Sequence, residues 1–107
     1  MMFITLEQAK AQLRVDDDAD DADITDKILE ASDLVRGYLK SAADAYLDAD
    51  GEVIPGKVPY SVKAATKMML GYLYSQRDND QGREFEQGML PKPVTALIYH
   101  LRDPALA

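Results

Sequence analysis

The sequence contains no cysteine, which removes disulfides, thiol chemistry and zinc sites of the usual cysteine-containing kinds. Its one histidine is His100, so a transition-metal site or a nucleophile paired with an imidazole base lacks its usual parts. Basic residues are outnumbered, 12 against 19 acidic, and the net charge is −7. That balance argues against a dedicated clamp on nucleic acid, which needs basic side chains opposite the phosphates. It is compatible with a place beside a duplex, because an acidic wall repels DNA and keeps it from sticking. No GxxxxGK[ST] phosphate loop occurs, and no apolar run approaches the roughly 20 residues that cross a bilayer. The opening MMFITLEQAK lacks the basic region and long apolar core of a signal peptide. No spacing selects a carboxylate pair for acid–base work. No catalytic residue, cofactor or metal is therefore expected, and the chain does not read as an enzyme.

What is present is enough for one core. A chain of 107 residues at 47% hydrophobic content suits a single domain, residues 1–107, that removes roughly two-thirds of its unfolded surface from water.

The pattern is helical throughout. Thr5 and Gln8 have the spacing of a capping box, and Leu6, Ala9 and Leu13 follow on one face, which predicts a short helix over Leu6–Arg14. Seven aspartates then fall between Asp16 and Asp26. The first of them read as a solvated loop, and the later ones as the first turn of the next helix, where negative charge suits the helix dipole. Exchanging Asp17, Asp18, Asp20 and Asp21 for Asn is accordingly expected to leave the fold intact. Ile24, Ile28, Ala31, Val35, Tyr38 and Ala42 alternate in steps of four and three, a narrow apolar seam that predicts one long helix over Asp21–Ala45. Leu34 and Leu39 widen it. Leu29 falls opposite, among Asp33, Arg36 and Lys40, and is either an incidental surface residue or a contact with another subunit.

Between Tyr46 and Val58, the turn signals Asp50-Gly51 and Pro55-Gly56 predict a short irregular excursion or minimal hairpin. A third helix is expected over Pro59–Arg77, with proline at its start and a cation at its end. Fifteen or so residues from Asp78, with two glycines and no periodicity, form a long loop of the kind that is usually functional or disordered. The last helix starts near Pro93, carries Val94, Leu97, Ile98 and Leu101 on one stripe, and stops at Asp103-Pro104. The fold class is all-α: a small bundle of about four helices, short, long, central and C-terminal, with a long loop before the last.

Two acidic stretches invite a calcium reading, and both fail it. Counting from Asp16, the sixth position holds Asp21 where the EF-hand turn needs glycine, and the twelfth holds Lys27 where a bidentate Glu belongs. In the second, Gly51 is placed correctly, but the first position is Tyr46 and the twelfth Lys57.

The central helix carries more apolar surface than one small chain should need. Val62, Ala65, Thr66, Met69 and Leu73 form one stripe, with Ala64, Met68 and Tyr72 as a second beside it. A helix so patterned is covered on more than one side. Val62, Ala65, Met69 and Leu73 are assigned to the subunit's own core. Ala64, Met68 and Tyr72, together with Leu29 and the loop residues Phe85 and Met89, are candidates for contact with a neighbour, since Tyr and Met are enriched at interfaces.

Four segments, taken in order, resemble a known family. ITLEQAKAQLRVDDDADDADI is similar to its opening, a short helix ending in "LR", a hydrophobic residue and an acidic run. ITDKILEASDLVRGYL resembles its long second helix. VPYSVKAATKMMLGYLYSQRD resembles its central helix, which starts after a proline and ends in an aromatic-rich "LY..R" element, and LPKPVTALIYHLRDP resembles its closing helix. The family is the phage head–tail connector family that includes the small adaptor protein of HK97-like siphophages, whose members are often described as DNA-packaging proteins. The likeness covers nearly the whole chain; 47–58 and 78–88 are not diagnostic. It implies a mostly helical structural subunit without catalytic residues, located in the virion at the portal vertex after synthesis in the bacterial host cytoplasm. It implies a homo-oligomeric ring of about twelve copies on the portal protein, a tail or stopper protein docked on that ring, and DNA passing through without sequence-specific binding. Asp17, Asp18, Asp20 and Asp21 are the candidates for the lumen or the subunit seam. The alternative reading is a generic acidic helical interaction module.

Overall fold

The computed structural model describes residues 1–75 and 90–102. Four α-helices follow one another: α1 Leu6–Leu13, α2 Asp21–Leu39, α3 Tyr60–Ser75 and α4 Lys92–Ile98, with 3-10 turns at Lys40–Tyr46 and Tyr99–Leu101. The helical bundle expected from the periodicity is what forms. The long loop before α4, with Arg77, and the Asp103-Pro104 stop lie outside the described residues.

The α1 start is the expected capping box. The Gln8 backbone N–H donates to Thr5 Oγ1 at 3.1 Å, and the Thr5 N–H donates to Gln8 Oε1 at 2.9 Å, so two otherwise unpaired donors are satisfied reciprocally. Preceding it, Phe3 and Ile4 are each only 2% exposed. The buried Phe3 N–H donates to the hydroxyl of Ser32, itself fully buried on α2, at 3.0 Å. A bend ahead of α1 thus enters the core and is fixed there by a polar bond that satisfies the buried Phe3 donor.

On α2 the predicted seam is buried through Ile24, Ile28, Ala31, Val35 and Tyr38. The helix does not run to Ala45. Lys40 takes φ 58°, ψ −138°, a conformation that glycine adopts freely and other residues at a cost. The chain then continues as a 3-10 turn, in which Ala43 and Tyr46 are buried. Their three-residue spacing places both on one side of a helix with three residues per turn. The break shifts the buried register from Ala42, now half-buried, to Ala43. The Tyr38 ring lies under the Arg102 guanidinium, whose carbon is 4.7 Å from the ring centroid, a cation–π contact that joins α2 to residues beyond α4.

The excursion after Tyr46 is a minimal hairpin: Leu47 and Val53 form an antiparallel bridge. The Asp48 carboxylate accepts from the N–H groups of Asp50 and Glu52 at 2.9 and 3.0 Å, an Asx turn that spends this carboxylate on the loop's own backbone. Gly51 and Gly56 both stand at positive φ, 81° and 82°, where a side chain would be strained.

Helix α3 is the centre of the bundle. Pro59 sits just outside its first turn, and its carbonyl accepts from the N–H groups of Val62 and Lys63, both at 3.1 Å. Val62, Ala65, Thr66, Met69 and Leu70 are fully buried, and the Thr66 hydroxyl donates to the Val62 carbonyl at 2.8 Å, so its burial leaves no unmet donor. Of this set the sequence pattern omits Leu70. The reason is that α3 packs against α2, α4 and α1 alike, which widens its buried arc past one stripe. The chain itself therefore supplies several covers for α3, where one internal cover and one neighbour were expected. Helix α4 starts one residue before Pro93, and buries Val94 and Ile98.

Candidate assembly interface

Part of the apolar surface that suggested a partner is covered within the chain. Met68 and Tyr72 are half-buried and pack against the core, whereas Ala64 is exposed. Leu29 is 39% exposed on the outward side of α2. Phe85 and Met89 lie outside the described residues. The structure brings Ala64 and Met68 onto adjoining positions of α3, and leaves Leu29 on a different helix, facing away from the shared core.

One exposed residue escapes the stripe reading. Tyr60, in the first turn of α3, is 87% exposed, with the Lys63 ammonium 5.6 Å from its ring centroid. One helical turn back from Ala64 reaches Tyr60, so the outward stripe is Tyr60, Ala64, Lys67 and Gly71, flanked by Lys63 and Met68. The signal was in the spacing, but a tyrosine beside Pro59 reads as part of the helix start.

The acidic segment divides in two. Asp16, Asp17 and Asp18 are exposed, and Asp20 and Asp21 are half-buried. Lys10 of α1 reaches across to this segment, with its ammonium 2.8 Å from Asp21 Oδ1 and 3.1 Å from Asp18 Oδ1. The Asp21 carboxylate raises the Lys10 pKa above the ordinary lysine value against the opposing effect of desolvation, and Asp18 adds a smaller raise. Asp20 accepts the Tyr74 hydroxyl at 3.0 Å. Asp18 and Asp21 are thus tied to α1 through Lys10 and Asp20 to α3 through Tyr74, so exchange of the four aspartates for Asn touches contacts between helices as well as a solvated loop.

His100 is exposed, and among the described residues no group of three His, Cys, Asp or Glu side chains is placed to hold a metal ion. Among the same residues, no helix is long and apolar enough to cross a membrane. The arrangement offers contact surfaces: an acidic face on α2 and its preceding loop, and a lysine- and tyrosine-bearing face on α3.

No curated protein and no solved structure matches the chain. The family model of the phage gp6-like head-tail connector protein does match it, over residues 3–102. That span runs from the buried Phe3 to the Arg102 that covers Tyr38, and so takes in every helix of the bundle. The chain belongs to the phage gp6-like head-tail connector family.

Proposed function

We propose that this chain is a structural subunit of the head–tail junction of a tailed phage or prophage. Copies of it form a ring of about twelve on the portal, extend the DNA channel, and present the platform that a tail or stopper protein meets. The observation that carries this reading is the family match over almost the whole chain. The exposed carboxylates of Asp16, Asp17 and Asp18 suit a channel wall, because like charge keeps a duplex sliding. On this reading the chain performs no catalysis, and its work is done by surfaces.

Solution mass across a concentration series, with negative-stain imaging of the highest concentration, tests the proposal. Closed rings are expected, either from the chain alone or once portal protein is added. A chain that stays monomeric in both conditions would overturn it.

A further inference from the structure

The outward faces of α2 and α3 carry charges of opposite balance that form no ion pair among the described residues. Helix α3 has two lysines, Lys63 and Lys67, and no acidic residue, in a chain of net charge −7. Neither lysine has an ion pair among the described residues. On the outward side of α2, Asp26, Asp33 and Arg36 are exposed and likewise have no ion pair there, so this face is acidic on balance. Each group of charges surrounds an exposed apolar side chain: Tyr60, 87% exposed, on α3, and Leu29, 39% exposed, on α2.

From this we infer that the seam between copies is heterologous, with the α3 outer face of one subunit seated on the α2 outer face of the next. Tyr60 and Leu29 form its apolar centre, and Lys63 and Lys67 oppose Asp26 and Asp33. The inference rests on the ring reading above and specifies which two surfaces make the ring. An apolar centre with a charged rim is the usual anatomy of such contacts, and the charges set partner and register more than affinity. Because α2 and α3 bury their inner stripes against each other, their exposed stripes lie on the far sides of the pair and cannot meet within one subunit. A symmetric contact of two α3 faces is disfavoured by the same charges, since it would set lysines against lysines. The head-to-tail arrangement instead sets those lysines against Asp26 and Asp33, and head-to-tail contacts that close produce rings.

The absence of native cysteine allows a clean test. Leu29→Cys and Tyr60→Cys are prepared separately in the full chain and treated with a short thiol-to-thiol cross-linker, with Ala11→Cys, exposed on α1, as the collision control. Mixing the first two should give a mixed dimer as the main product, and placing both cysteines in one chain should give a ladder. Each single variant alone should dimerise no more than the control. A Tyr60→Cys self-dimer, or mixed product no greater than the control, would overturn the seam. A second measurement separates that failure from failure of the ring reading, namely the mass of the unmodified chain with and without portal protein. Rings without the Leu29–Tyr60 cross-link would sink the seam alone, whereas no assembly in either condition would sink both.

The charges give an independent check. Lys63→Glu with Lys67→Glu should abolish assembly, as should Asp26→Lys with Asp33→Lys. Mixing the two double variants should restore it as alternating copies. Failure of the mixture to assemble, with both variants folded by circular dichroism, would contradict the charge pairing.

Discussion

The Tyr74 hydroxyl donates to Asp20 Oδ2 at 3.0 Å, joining residues 54 apart in the chain. Asp20 occupies the N-cap position of α2, yet its side chain makes no capping bond to the helix. Its carboxylate is turned instead to Tyr74 of α3, so this bond links the start of α2 to the last turn described of α3. The two helices whose outer faces are assigned to the seam are thus held at a set offset.

Tyr74→Phe keeps the ring and removes that bond. We expect a loss of about 1–2 kcal/mol, the range for a bond to a charged group, reduced by partial exposure. The midpoint of urea unfolding measures it. An unchanged midpoint would mean that packing alone sets the α2–α3 offset.

Lys40 carries a backbone conformation better suited to glycine. Lys40→Gly should relieve strain on the order of 1 kcal/mol, and raise the melting midpoint by roughly 4–8 °C in a domain of this size. Lys40→Ala keeps the strained Cβ and should give no such gain. Equal effects of the two would show that the α2 break is not held at Lys40.

The Lys10 ion pairs give a pH signature with a fixed sign. Its pKa is raised in the folded state, chiefly by Asp21, so its contribution is complete below the ordinary lysine value of 10.5 and is lost as pH rises through the folded value. The stability gap between the wild type and Lys10→Gln should therefore be flat from neutral pH to about that value, and shrink above it. A gap that shrinks between pH 7 and 9 would contradict the assignment.

How much of this was legible in the sequence follows the range of the interactions. The Thr5–Gln8 capping box, the Ile24–Tyr38 seam, the Val62–Met69 stripe and the Asp50-Gly51 turn are all local, and each appears where its spacing placed it. Phe3 and Ile4 were not legible as core, because a two-residue bend has no periodicity, and the Ser32 hydroxyl that fixes it lies 29 residues away. The break at Lys40 was hidden because lysine carries no turn signal. Leu70 became core because three helices pack on α3. Of the proposed contact residues, Leu29 and Ala64 are exposed as the pattern implied, while Met68 and Tyr72 were already partly claimed by the subunit's own core.

That last distinction selects the mutation. Met68→Glu would disturb monomer packing and any seam together, whereas Ala64 is exposed between Lys63 and Lys67 on the outward face of α3. Ala64→Glu should change monomer stability by no more than about 0.5 kcal/mol, and block assembly by setting a carboxylate against the acidic face of α2. Thermal unfolding and solution mass, measured on the same sample, read the two effects separately. Loss of the fold would place Ala64 inside the monomer's packing instead.

The most direct test of the connector reading is to image the full chain with the portal protein of the same phage or prophage, by electron microscopy with mass measurement of the complex. The account predicts a closed ring of this chain stacked coaxially on the portal, one α3 face against one α2 face around the whole circle. A portal that remains bare at saturating concentrations of a folded chain would contradict it.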